Sequence, residues 1–505
     1  MCIIFWSLLG EIGVSNEWKK SKTVTSYQYV KRYFENRHQK VKYENFATDT
    51  DNKFLCLAFG FCSITFFPWT QAQDPLTTVY QWGNLEFDYP SEDARQQAIT
   101  SGEFVPANGA PIDVDVYYKG NHNKVFVSIP RFQNGIPATF GTVTNRLHNG
   151  NPIIAPFPSW SWHTNSEECA QDRLISVFRF KIDECKRLWL LDTGRIGNKQ
   201  LCSPQILAFD LQTNNLIHRY EIPKDQIEST SILVTPVVDV RNPKDGCYDT
   251  FVYVADCQAF SIIVHDVQQG TSWKIIDKTF YPNPAFGTYK ISGYSFDLMD
   301  GLLGMELSPL RPNQDRILYY HAMSSGTEQW VYTSHLRNKT MYIDNPSPAP
   351  ELFNVYSGQR HTQSPAMAID RNGIAYFGLA SDLSMNCWNT ATEYGRNNIG
   401  EVARDPVRLQ FASGVKVITN KLGKQELWFV TMRFQRMATG TLDVSDKNFR
   451  IIAGKIDDLT KGSKCYGRPS SQYGYGSGHT HSHGGGYGYA RDNKRDGDSV
   501  MFPSN

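Results

Sequence analysis

KVFVS at 124–128, RLWLLD at 187–192, FVYVAD at 251–256, ILYYHA at 317–322, IAYFGL at 374–379 and LWFVTM at 427–432 are six versions of one short aromatic strand. Their central rings, Phe126, Trp189, Tyr253, Tyr319, Tyr376 and Trp428, lie 63, 64, 66, 57 and 52 residues apart. A repeat of that length carrying strands rather than helices predicts a β-propeller, in which each blade leans on the next. Six copies predict an all-β, six-bladed β-propeller over 77–465, built of four-stranded antiparallel blades with long loops. Such a fold places a ligand channel on its axis.

The sequence around these strands fills in the blades. An apolar strand and a turn precede most of them. In FRFKIDECKRLWLL the turn falls at 183–186, and in AMAIDRNGIAYFG it falls at Asp370-Arg371-Asn372-Gly373. A third strand follows in QILAFDL at 205–211, SIIVHDV at 261–267 and FRIIAGKI at 449–456. The early strand TTVYQWGNLEF, 77–87, lies outside the six units. It is expected to pair with the last blade and so remove open sheet edges. Repeats near 60 residues exceed the roughly 40–45 of compact blades, so the excess is assigned to loops, where function concentrates.

The 51 Lys and Arg balance the 50 Asp and Glu. A nucleic-acid partner is therefore not expected, because phosphate binding needs a basic face. The chain has no G-x-S-x-G, no H-E-x-x-H and no phosphate loop, and neither cofactor nor metal is expected. FLCLAFGFCSITFF, 54–67, is almost wholly apolar. It is short for a membrane span and reads as the core of a signal peptide occupying 54–72, with a small-x-small cleavage site at Thr70 and Ala72. A secreted, extracellular product is expected. Residues 1–53 then read as an imperfect gene model or an alternative first exon without structure. The alternative is a signal anchor with a basic cytosolic stub carrying Lys19, Lys20 and Lys22. Residues 466–505 are Gly, Ser, Tyr, His and charge, cannot bury a core, and read as a disordered tail. His479, His481 and His483 in that tail are either a loose metal-binding tract or simply solvated.

Seven cysteines lie beyond the apolar segment, none in a C-x-x-C pair. In a secreted chain they read as disulfides with one thiol left over. Asn338-Lys339-Thr340 is a candidate glycosylation sequon. Asp192 and Asp256 end aromatic strands in consecutive repeats, either facing a channel or capping a turn. PSWSWHTN, 158–165, with Trp160, Trp162 and His163, is either a wall of a site or an aromatic lid packed on a blade.

Several of these segments together resemble the yellow/major royal jelly protein family of insects. The carriers are SVFRFKIDECKRLWLLDTG from Ser176, FVYVADCQAFSIIVHDV followed by SWKI, GLLGMELSPL from Gly301, ILYYHAMSS, NCWN at Asn386 and LQFASGVKV from Leu409. The resemblance implies a secreted six-bladed propeller whose ligand is a small aromatic amine or a dopa-derived molecule. It allows conversion of dopachrome in melanin pigmentation, pure binding of biogenic amines, or a structural or nutritional role; the Gly/Tyr/His tail favours a cuticle setting. It also implies pairing of Cys387 with Cys465 and of Cys169 with Cys247. Cys185 and Cys202 are left as a third bridge, and Cys257 as the odd thiol. Phe411 matches the family's amine-pocket phenylalanine, with core packing as the alternative, and Tyr394 falls near another family contact. Leu409 stands where amine binders carry Asn, and Phe-Ala-Ser-Gly ending at Gly414 replaces their Phe-Pro-Ser-Asp. A polar contact to an amine is thereby lost.

Overall fold

The computed structural model describes residues 74–120, 122–163 and 169–466. The expected leader, the N-terminal extension, the His tract and almost all of the tail lie outside the described residues. Six sheets form the blades of a propeller. Their innermost strands are Asp113–Lys119, Val177–Ile182, Leu233–Val240, Leu302–Leu307, Met367–Ile369 and Ala412–Thr419, one for each of blades 1 to 6. They neighbour one another in that order and close a ring.

All six aromatic strands are found, each as the second strand from the axis. That position is covered on both faces by adjacent blades, so a central ring is fully used in packing; Phe126, Trp189, Tyr253 and Tyr376 have no exposed surface. A buried Trp or Tyr needs a partner for its polar atom. Three blades supply it with the Asp that ends the first strand. Trp189 Nε1 donates to Asp183 at 2.8 Å, and the Tyr253 and Tyr376 hydroxyls donate to Asp239 and Asp370 at 3.1 and 3.2 Å. Asp183 also accepts from the backbone of Cys185 and Arg187, so one side chain makes the turn and seats the ring. Lys186 and Gly373 take the positive φ that these two turns require.

Thr77–Trp82 pairs antiparallel with Phe449–Lys455 and completes blade 6. The expected closure therefore holds, but only for the first half of 77–87. Glu86–Phe87 crosses to blade 1 and adds a fifth, parallel strand against Asn151–Pro156. The crossing follows from the break at Gly83: any Cβ there would meet the Val444 carbonyl oxygen at 2.5 Å.

Connections into each innermost strand, and those from second to third strands, share one face of the ring by topology. That face carries the long segments 83–112, 157–176 and 277–301. The last includes a hairpin, Thr288–Ile291 with Tyr294–Asp297. The opposite face has short turns, apart from 333–353 in blade 4.

Disulfides join Cys169 to Cys202, Cys185 to Cys247 and Cys387 to Cys465, and Cys257 is free and buried. The pairing of Cys169 with Cys247 is thus corrected, as is that of Cys185 with Cys202, and the reason is topological. Cys169 and Cys202 both lie in connections of the long-loop face. Cys185 and Cys247 both lie in first-to-second-strand turns of the opposite face, in neighbouring blades.

Candidate functional site

The axis is not an open channel. Arg179, on the innermost strand of blade 2, reaches across it. Its guanidinium donates to Thr235 Oγ1 at 3.0 Å, the Leu303 carbonyl at 3.4 Å, the Pro365 carbonyl at 3.0 Å and the Ser413 carbonyl at 2.7 Å. These acceptors belong to blades 3 and 4, to the segment entering blade 5, and to blade 6. Only about 20 Å³ of free space remains beside it, towards the short-turn face. There the axis is lined by ion pairs: Lys416 with Asp113 at 2.8 Å and Lys181 with Glu306 at 3.1 Å. Asp115 lies among them; burial pushes its carboxyl up to about 6, while Lys181 and Lys416 pull it down.

Gly414 sits where the innermost strands of blades 6 and 1 nearly touch. A Cβ there would lie 2.2 Å from Asp113 Oδ1 and 2.8 Å from the Ile112 carbonyl oxygen. A larger residue has no room, and Asp113, the carboxylate beside it, is already committed to Lys416. Among the described residues, the carboxylate beside Gly414 is thus already paired.

On the long-loop face, Phe411 is 1% exposed and packs on Phe434 with ring centres 4.5 Å apart. Phe434 meets Phe296 of the hairpin at 5.5 Å, and Phe296 stacks on Tyr289 at 5.2 Å. The Tyr289 hydroxyl reaches Ser324 Oγ at 3.0 Å. An aromatic line thus runs through the hairpin from blade 6 to blade 4. Gln363 fastens the hairpin's base by donating to the Phe286 and Thr288 carbonyls at 2.8 and 2.9 Å.

At the blade 4 end of this line lies a buried acid–base set. His321 Nδ1 is 2.9 Å from Glu328 Oε2. Arg360 Nη1 lies 3.4 Å from the same oxygen and donates to the Tyr394 hydroxyl at 3.0 Å. All four residues are buried. Burial lowers the His321 imidazole; Glu328 raises it and Arg360 lowers it further, and the direction is down. Tyr394 is pushed up to about 12, chiefly by burial, and stays protonated. The ring of His321 fits only because residue 304 is glycine: a Cβ there would lie 2.2 Å from Nε2. His321 also meets the Ser364 backbone, without a well-formed hydrogen bond at Nε2, and Glu328 Oε1 has none among the described residues. Such a set can take a proton on a neutral imidazole whose orientation is fixed by a carboxylate.

Phe411 and Tyr394 pack on different rings: Tyr394 on Tyr356, Phe377 and Trp388, and Phe411 on Phe434. Asp192 accepts from the backbone N–H groups of Ile175, Ser176 and Gly194, and Asp256 from those of Ile232, Gln258 and Ala259. Both are turn caps. Trp160 donates to the Asp88 carbonyl, and Trp162 packs on Phe209, as a lid on the blades. His163 is buried against Phe157 and Thr139 and is held down to about 3 by burial and by Arg131. The sequence reading missed Arg179, Glu328, Arg360 and His321. Only His321 gave a signal, as a lone histidine inside the apolar strand ILYYHA.

These titrations fix the acid response. His163 and His265 are each held down to about 3, burial being the main cause. Unfolded imidazoles take protons near 6.5. Between pH 6.5 and 3 the unfolded chain thus binds protons that the fold excludes. Each histidine then costs about tenfold in the folding constant per pH unit. Asp115 opposes this between about 6 and 3.8, because its proton binds more tightly in the fold. The expected melting temperature falls from pH 7 to pH 4, with each histidine reaching its full slope about one pH unit below 6.5. His163→Gln should flatten that fall, as read by melts across the range.

A family model described as major royal jelly protein matches residues 175–465. Dopaminechrome tautomerase of Drosophila melanogaster is 31% identical over 411 residues, covering 80% of this chain and 86% of that protein. Major royal jelly protein 9 of Apis mellifera is 34% identical over 397 residues, covering 76% and 89%. Protein yellow of Drosophila madeirensis is 32% identical over 416 residues, covering 80% and 70%.

Proposed function

Because the chain belongs to the major royal jelly protein family, we propose that it is a secreted protein of the melanin and cuticle setting that tautomerises a dopa-derived indoline quinone. The carrying observation is the buried His321–Glu328 pair at the end of the aromatic line, in a chain similar to a dopaminechrome tautomerase over most of both lengths. Tautomerisation moves one proton from carbon to a heteroatom and needs neither oxidant nor metal. In this reading His321 takes the carbon-bound proton, Glu328 steadies the resulting imidazolium, and the proton returns to the substrate's oxygen. The ring of the substrate lies against Phe411 and Phe434, taking the place of Phe296 when the hairpin lifts. Three disulfides among the described residues support an oxidising compartment. That the carboxylate beside Gly414 is already paired favours a quinone over a cationic amine as ligand.

The test is the decay of dopaminechrome absorbance with the secreted full-length protein against a heat-inactivated control. An excess rate is expected. It should fall about 100-fold or more in His321→Gln, the scale of a lost general base, with an unchanged melting temperature. Phe411→Ala should raise KM. No excess rate would remove the enzyme, and calorimetry with dopamine would then test binding alone.

A further inference from the structure

Asn338-Lys339-Thr340 is the one N-x-[ST] of the chain without proline in the middle; Asn345-Pro346-Ser347 is barred by its proline. It lies in 333–353, the long connection on the face opposite the aromatic line. The flanking chain is anchored. Leu336 and Tyr342 are buried, the Leu336 carbonyl accepts from Trp273 Nε1 at 2.9 Å, and Arg337 pairs with Asp239 and Asp315, each at 3.4 Å. Asn338 itself is exposed at the turn between two short helices, Thr333–Leu336 and Lys339–Tyr342. Its Oδ1 accepts from Thr340 Oγ1 at 2.8 Å. The hydroxyl thus occupies the amide oxygen, and Nδ2 is left facing solvent with no acceptor among the described residues.

We propose that Asn338 carries an N-linked glycan on the face turned away from the candidate site, which rests on the secretory reading above. The step joins Nδ2 to the anomeric carbon of a polyprenyl-diphosphate oligosaccharide. The C–N bond forms, the bond from that carbon to the diphosphate oxygen breaks, polyprenyl diphosphate leaves, and the amide proton passes to the transferase's base. No redox partner enters. Two neighbouring features give the glycan a task. Ile343, five residues on, is 62% exposed, an apolar surface that a hydrated sugar would cover. Beside the loop lies a polar cleft of about 700 Å³ lined by Arg241, Arg316 and Arg337. A glycan at its rim keeps macromolecules off this face and leaves the long-loop face open to ligand.

The test uses the full chain expressed through the secretory route of insect cells. Treatment with peptide N-glycosidase should increase gel mobility and convert Asn338 to aspartate in the peptide mass spectrum. Asn338→Gln and Thr340→Ala should each abolish the shift and Thr340→Ser should keep it, with the dopaminechrome rate unchanged in all three. Thr340→Ala reads the modification with the asparagine intact if Asn338→Gln fails to fold. Protein recovered from the medium with Asn338 unmodified would overturn the glycan and leave secretion standing. Protein retained in the cell without a glycan would overturn both.

Discussion

Arg179→Met is expected to cost about 4 kcal/mol or more of stability, the largest effect of any single substitution on the axis. Removing the guanidinium leaves the Pro365 and Ser413 carbonyls facing the axis without their donor, while the Leu303 carbonyl keeps the Thr235 hydroxyl at 2.6 Å. A hydrogen bond to a charged donor contributes about 1.5–3 kcal/mol, and a large net loss remains after the relief of burying a cation is subtracted. The four acceptors come from blades 3 and 4, the entry to blade 5, and blade 6, so the loss falls on most of the ring at once. Arg179→Lys should be intermediate, since an ammonium offers three donors from one point. Chemical denaturation of the purified protein reads the difference, and a midpoint unchanged in Arg179→Met would show that the axis is held by strand packing alone.

Cys387→Ser should be nearly as costly. The Cys387–Cys465 bridge closes a loop of 78 residues, and loop entropy assigns such a bridge about 4.5 kcal/mol. It ties the third strand of blade 5 to the segment that follows blade 6, so its loss frees residues that lie next to the closing strand. The expected result is a lower unfolding midpoint, read by chemical denaturation. Cys169→Ser should cost less, because its loop spans only 33 residues.

Much of the propeller was legible because each aromatic strand is sandwiched between blades, which forces a recurring Phe, Trp or Tyr at one register. The loops carry no such repeat. The pairing of Cys185 with Cys247 depends on the face each turn occupies, a fact of topology that spacing alone does not carry. Arg179 alternates with Phe178 and Phe180 in an ordinary strand pattern, and nothing in VFRFKI marks it as the residue that fills the axis. Glu328 and Arg360 are 32 residues apart and meet His321 only because a second-to-third-strand connection and a blade-to-blade connection share one face. Phe411 was readable as an aromatic on either a ligand or a core; the structure shows the ring packed on Phe434.

Blade 6 is assembled from both ends of the described chain, with Thr77 opposite Ala453, 376 residues later. On a ribosome adding about 5–20 residues per second, the first strand waits roughly 20–75 s for its partner. During that time Thr77–Trp82 is an unpaired edge, and the last blade of a second copy offers it the same pairing partner. The order of synthesis therefore leaves this one strand open longest, and its exchange between copies is the misassembly that the topology invites.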